Sequence, residues 1–335
     1  EVYGAHTAVL VPGSGSFGME AVARQFANRE KVLIVRNGWF SYRWTQIFDA
    51  DKGLGGGSVV CKARPQGSGA QAPWAPCPAD EVAAAIRAEK PKVVFAPHVE
   101  TASGIILSDD YIRTLTAAAH DVGALFVLDC VASGAMWVNM QATGVDVLIS
   151  APQKGWSGSP CCAMVMLSER ARAAIDGTTS SSFSCDLKKW MQIAEGYEKG
   201  QHAYHTTMPT DALVRLRDVM QETRAYGFAK VRDEQIALGA QVRALLESRG
   251  FPSVAADGFK APGVIVSYTT DPGIQNGKKF MEAGLQTAAG VPLQCDEGPD
   301  FKTFRIGLFG LEKWHNVERT VGHLAKALDT MGVKA

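Results

Sequence analysis

The sequence predicts an α/β fold in two parts: a large domain on a mostly parallel, seven-stranded-type sheet over residues 1–226, and a smaller C-terminal α+β domain over 227–335. Three observations predict it. Short β-branched runs alternate with amphipathic helical stretches through the first half, the pattern of parallel strands joined by crossover helices. A long helical reading from Asp211 to Gly250, broken near Gly227, separates that half from a strand–helix–strand–helix tail. The length, 335 residues, is more than one core usually fills.

Taken in order, the run AVLV is followed by the turn Gly13-Ser-Gly-Ser-Phe-Gly18 and by a helix, MEAVARQFA. KVLIVR (31–36) is the next buried strand. Residues 51–78 are rich in Gly, Pro and Ser and read as surface connections around a few weak strands. Pro78-Ala-Asp80 opens a helix, with an acid in its first turn. KVVFAP (92–97), ALFVLD (124–129), DVLIS (146–150) and AMVMLS (163–168) are buried strands. In 109–122, Ile112, Leu115, Ala119 and Val122 fall on one helical face. The tail holds GVIVSY (263–268), a helix from about 273, FRIGLF (304–309) and a last helix lined by Val317, Val321, Leu324 and Leu328. There are no internal repeats or low-complexity tracts.

Composition excludes several classes. Lysine plus arginine and aspartate plus glutamate both number 34, and no basic run is interleaved with aromatics, so nucleic acid is not an expected partner. No apolar stretch is long enough to span a bilayer, and the first residues lack the basic start and apolar middle of a signal peptide. The seven cysteines show no zinc spacing, since Cys161 and Cys162 are adjacent without histidine partners; no metal is expected. Free thiols in a reducing cytosol are the expectation, hence a cytoplasmic protein. The chain does not begin with Met and is expected to lack its natural start.

Four features carry chemistry. The turn at 13–18 has the form G-x-G-x-x-G after a strand and before a helix. Small residues there let backbone N–H groups approach a phosphate, with the helix dipole favouring the negative charge; a plain tight turn is the alternative. A nicotinamide dinucleotide would want an acid after the second strand, where Val35-Arg36-Asn37 has none. Asp129 ends a strand on the edge where ligands bind in open α/β sheets, and is either a ligand-facing charge or a helix cap. Lys154 follows the next strand in SAPQKG; alone it reads as a solvated loop charge. A lysine and an aspartate facing one crevice are what pyridoxal phosphate needs, the amine to bond the aldehyde and the carboxylate to keep the pyridine nitrogen protonated. Arg305, alternating with apolar neighbours in TFRIGLFG, is either a clamp for a substrate carboxylate or an edge-strand surface arginine.

These residues lead to a family. The chain resembles the class V aminotransferases, especially the alanine–glyoxylate and serine–glyoxylate group, with the 2-aminoethylphosphonate–pyruvate group close behind. The likeness runs nearly end to end through seven ordered motifs: GSGSFGMEAV, KVLIVRNGWF, HVETASG, FVLDCVAS, SAPQKG, YHTTMP and FRIGLFG. It implies the aspartate-aminotransferase fold, pyridoxal 5'-phosphate as cofactor, and a homodimer whose site is completed across the interface. It also implies roles. Lys154 matches the lysine that carries the cofactor and Asp129 the partner of the pyridine nitrogen. Ser14, Gly15 and Ser16 match phosphate or ring contacts, and Gln153 a phosphate contact. Phe40 matches the aromatic that stacks on the ring, with Trp39 one position away. Thr101 matches the hydroxyl near the ring oxygen. Tyr204 and Thr207 match residues reaching the neighbouring subunit's phosphate. Arg305 matches the arginine that binds the substrate carboxylate. His98 and Glu100 read as structural, and Cys161 and Cys162 as small buried hydrophobes.

Two departures stand out. Family members open with a Gly-Pro segment that lines the substrate pocket and swaps across the dimer. This chain has no counterpart, so that segment is expected to be missing or disordered. Ser16 also stands where several relatives carry a histidine or an aromatic. The implied reaction is a ping-pong transfer of an amino group from a small, alanine- or serine-like amino acid to glyoxylate or pyruvate. Alternatives are a 2-aminoethylphosphonate-type aminotransferase, and a lyase or cysteine desulfurase of the same fold, for which Cys295 is the candidate nucleophile. From another class there is a nicotinamide-dependent oxidoreductase resting on the glycine turn alone.

Overall fold

The computed structural model describes residues 1–51 and 53–333. Seven strands build the large sheet: β1 (Thr7–Pro12), β2 (Val32–Arg36), β3 (Ser58–Lys62), β4 (Val93–Pro97), β5 (Leu125–Asp129), β6 (Val147–Ser150) and β7 (Cys162–Leu167). Their order is β1-β7-β6-β5-β4-β2-β3. Every neighbouring pair from β6 to β3 is parallel, and β7 runs antiparallel to both β6 and β1. Strands 2, 4, 5, 6 and 7 are buried along their whole length, as a sheet covered on both faces demands.

Helices supply the cover. The first, α1 (Gly15–Phe26), follows β1 directly; α2 (Trp39–Ala50) follows β2; α3 (Ala79–Glu89) and α4 (Asp109–Asp121) pack on each other. Ser108 caps α4 by accepting from the Tyr111 N–H at 3.2 Å. The expected long helix is two: α5 (Thr210–Tyr226) and α6 (Phe228–Ser248), broken at Gly227, whose φ of 109° no side-chain-bearing residue adopts readily. Beyond them β8 (Val264–Tyr268), β9 (Ala288–Ala289) and β10 (Thr303–Gly307) form an antiparallel sheet in the order β8-β10-β9, and α7 (Val317–Thr330) closes the chain. Leu238, Ile265, Phe280, Phe304 and Leu328 give this part its own apolar cluster, while Val264, Val266 and Tyr268 pack into the core of the large sheet.

Three corrections to the reading follow. The Gly-rich stretch 51–78 contributes a full edge strand, β3, and not only weak pieces. The segment expected as a helix from about 273 is two short turns, Pro272–Gln275 and Lys278–Glu282. Arg305 lies on the central strand of the small sheet, which excludes the edge-strand alternative.

Candidate active site

All strands of the large sheet except β7 point the same way, so the residues just past β1, β4, β5 and β6 and the start of α2 meet at one edge. They enclose a cavity of about 220 Å³ lined by Ser14, Gly15, Ser16, Phe40, Thr101, Asp129, Gln153 and Lys154, with Met19, Arg43, Val99, Val131 and Ala132. Eight of the residues singled out in the sequence are therefore neighbours in space. The sheet register explains the central pair: Asp129 is paired with Ile149 on the adjacent parallel strand, so the two chains leave the sheet side by side and Lys154 comes five residues later.

The glycine turn is shaped by close packing. A Cβ on Gly15 would sit 2.7 Å from Val131 Cγ2, and one on Gly18 would sit 2.5 Å from the Ala163 Cβ on β7. Both contacts would push α1 off the sheet. Ser14 is the N-cap but makes no side-chain capping bond, and the first turn holds no acid. Its hydroxyl and the first N–H groups of the helix are thus free for an anion.

Asp129 is 9% exposed, and its Oδ1 accepts the Val131 N–H at 2.9 Å. No helix follows it, so the capping alternative falls away. Burial pushes its carboxyl up to about 6; the Val131 N–H opposes this, Glu100 adds to it, and Arg43 and Lys154 pull it down. Lys154 is held below its ordinary value, first by burial and then by the Arg305 charge, with Asp129 opposing. Its Nζ lies 5.7 Å from the Phe309 ring centroid. Arg305 is half-buried and donates from Nε to the Ala289 carbonyl at 2.8 Å; its guanidinium is 5.4 Å from the Phe40 ring. Gln153 has a buried carboxamide oxygen with no partner.

Of the two aromatics at the start of α2, Phe40 lines the cavity, whereas Trp39 packs on Tyr42 at 5.7 Å between centroids. Tyr204 and Thr207 lie outside it on the exposed segment before α5, with Tyr204 71% exposed. His98 Nδ1 bonds Ser133 Oγ at 2.7 Å. Glu100, fully buried, accepts from the Phe40 and Ser41 N–H groups, the Ser41 hydroxyl and the Ala102 N–H at 2.7–3.2 Å. Cys295 is 4% exposed; its thiol donates to the Arg36 carbonyl at 3.3 Å, and burial pushes it up to about 12. A mobile, ionisable nucleophile does not fit that setting.

The sequence reading missed two residues. Arg43 donates to Ser16 Oγ at 2.8 Å and stands 5.3 Å from the Phe40 ring, which Arg305 also approaches. Its place one turn into an aromatic helix gave no signal beyond its distance from Phe40. Phe309 reaches the site from beyond β10, and only the fold brings it to Lys154.

A free anion-accepting helix start, an unsatisfied amide, a buried carboxylate and a depressed lysine in one cavity suit a phosphorylated, electron-accepting aldehyde. A fold of this kind with this site defines a pyridoxal-phosphate enzyme. The family model for class V aminotransferases matches residues 68–272, and the chain belongs to that family. It is accordingly a pyridoxal-phosphate-dependent transaminase. The 2-aminoethylphosphonate–pyruvate transaminase of Burkholderia ambifaria is 28% identical over 333 residues, covering 98% of this chain and 83% of the relative. The L-aspartate–glyoxylate aminotransferase of Paracoccus denitrificans is 26% identical, covering 90% and 73%. The alanine–glyoxylate aminotransferase structure from Nostoc sp. superposes with a TM-score of 0.81 at 20% identity, covering 98% and 83%, and shares the fold. At the position where a dinucleotide site would want an acid, Arg36 is buried and donates to Gln294 O and Thr45 Oγ1 at 3.0 and 2.7 Å.

Proposed function

We infer that the enzyme moves an amino group from a small alanine- or serine-like donor to glyoxylate or pyruvate in two half-reactions. The observation that carries this reading is that Lys154 and Asp129 line one cavity beside a helix start open to an anion. When bound, pyridoxal phosphate supplies the electron-accepting ring that makes the α-proton of an amino acid removable. Ser14, Gly15, Ser16 and Gln153 would hold the phosphate, with Arg43 behind Ser16. Phe40 would cover a ring face and Thr101 contact the ring oxygen. Asp129 would hold the proton on the pyridine nitrogen.

The roles of the remaining residues follow from chemistry. Burial holds the Lys154 amine below its ordinary value, so it gives up its proton more readily than an exposed lysine and can take one from the donor's α-carbon and deliver it two bonds away, across the nitrogen being transferred. Arg305 orients the donor by its carboxylate. Because a phosphonate would suit the same guanidinium, and several relatives carry 2-aminoethylphosphonate in their names, that donor is the second reading.

Tyr204 and Thr207, exposed here, are read as contacts to the phosphate of a second copy, which makes the working unit a homodimer. The same reading divides the chain near residue 227 into a cofactor-binding domain (1–226) and a smaller one (227–335) that brings Arg305 and Phe309 to the site. Seven free thiols favour a reducing, cytoplasmic setting.

Replacing Lys154 with Ala should abolish the near-visible absorption of the loaded enzyme and slow the half-reaction by roughly 10³-fold or more; turnover at the wild-type rate would overturn the assignment. Alanine, serine, aspartate and 2-aminoethylphosphonate should then be tried against glyoxylate and pyruvate. Fastest bleaching with alanine or serine supports the first reading, and with 2-aminoethylphosphonate the second. Release of sulfide from cysteine without an acceptor would contradict both.

A further inference from the structure

A second cavity, of about 810 Å³, lies at the edge strand β3, four strands across the sheet from β6, after which Lys154 comes. Three thiols line it: Cys61 on β3, Cys77 just before α3, and Cys295. Cys61 is partly exposed and Cys77 is 3% exposed, and both line this one cavity. The chain brings them together by pairing Arg64 with Ala75 and Pro65 with Trp74, which folds 61–77 into a hairpin. Arg64 places Nη2 3.8 Å from Cys77 Sγ, and the Cys77 thiol points to Glu81 Oε2 at 3.9 Å.

We propose that Cys61 and Cys77 form a reversible dithiol–disulfide site that small hydroperoxides oxidise. The hydrogen bond from Cys61 and the Arg64 charge hold the Cys77 thiol below its ordinary value, whereas Cys61 is raised by the same bond and by burial. With the Arg64 guanidinium 3.8 Å from its sulfur, Cys77 is the attacking one. Its thiolate takes one oxygen from the peroxide, breaking the O–O bond, and becomes a sulfenic acid; the other oxygen picks up the proton the thiol gave up and leaves as water from hydrogen peroxide, or as the alcohol from an alkyl hydroperoxide. Cys61 sulfur then attacks Cys77 sulfur, the S–O bond breaks, and a second water carries away the hydroxyl with the remaining thiol proton. Two thiols lose two electrons and the peroxide gains them. The cavity admits a molecule of that size to a thiol too enclosed for a bulky disulfide reagent.

The other cysteines provide internal comparisons. Cys295 shares the cavity but gives its thiol hydrogen to a carbonyl and is pushed up to about 12. Cys161 and Cys162 lie 3.9 Å apart in sulfur but are buried at the start of β7, where burial raises the Cys162 thiol.

The test uses the cofactor-loaded protein, treated with hydrogen peroxide, blocked with an alkylating agent and digested with trypsin. Cleavage after Lys62 puts Cys61 and Cys77 on separate peptides. The expected product is that peptide pair joined, two hydrogens lighter than the sum, and released by dithiothreitol. In C61S, dimedone should label Cys77 and Cys295 should stay unlabelled, with transaminase activity unchanged. Recovery of both wild-type peptides as alkylated, unlinked species after peroxide would overturn the site. Dimedone on Cys61 in C77S, with none on Cys77 in C61S, would overturn the order of attack.

Discussion

The two cavities differ in more than size. In the large one Lys62 is paired with Asp296 and Arg64 with Glu81, and Glu297 accepts three backbone N–H groups at 2.6–3.0 Å. In the small one Arg43 and Lys154, with Arg305 nearby against the Phe40 ring, form no ion pair among the described residues, and Asp129 is buried with one backbone donor. Buried charge without a partner is costly and persists where a ligand completes it. Volume alone would choose the wrong cavity; unsatisfied charge chooses the right one.

That contrast can be broken or sharpened by substitution. D129N should lower the half-reaction rate about 10²–10³-fold in the loaded enzyme, the loss typical of one electrostatic partner. The same variant tests the carboxyl held up to about 6. In cofactor-free wild type the native state keeps a proton that the unfolded chain has already released, so stability falls as pH rises between about 4 and 6. The whole effect is roughly 3 kcal/mol. Urea titrations should show this slope in wild type and not in D129N; parallel curves would contradict it. R305Q should cost about 10- to 100-fold in kcat/KM for a carboxylate donor, from the loss of one charged hydrogen-bonding group, and R305K should not restore it fully. R43Q should weaken cofactor binding about 10-fold, read from absorbance titration, while leaving the donor's KM nearly unchanged. In the other cavity K62A should shift stability by less than about 1 kcal/mol, because its ion pair is exposed. A large loss there would show that satisfied pairing does not distinguish the larger cavity from the one that holds Lys154.

Much of this was legible in the chain. Buried parallel strands announce themselves as continuous apolar runs, and the rule that ligands gather at their carboxyl ends pointed to Asp129 and Lys154 before any geometry. What stayed hidden lay where local pattern says little. Strand β3 sits at an edge, half-exposed and among glycines, so no periodicity marked it. The helices Trp39–Ala50 and Leu187–Glu198 went unread, the first because aromatic and β-branched residues are poor helix formers and only packing fixes them. Arg43 and Phe309 belong to the site through tertiary proximity alone. Phe40 over Trp39 was decided by which way the start of α2 is turned, a matter of one residue that motif alignment left open.

That turn is set by Glu100, and the bonds it accepts bear on redesign. One carboxylate fastens the start of α2 to the loop carrying Thr101, and a Cβ on Gly38 would come within 2.7 Å of its Cγ. The aromatic lid and the hydroxyl opposite it are therefore clamped into a single jaw. Efforts to admit bulkier substrates by loosening residues 37–41 would tilt both surfaces together, so a roomier enzyme is better sought from the Phe309 side, where among the described residues no carboxylate makes such a clamp.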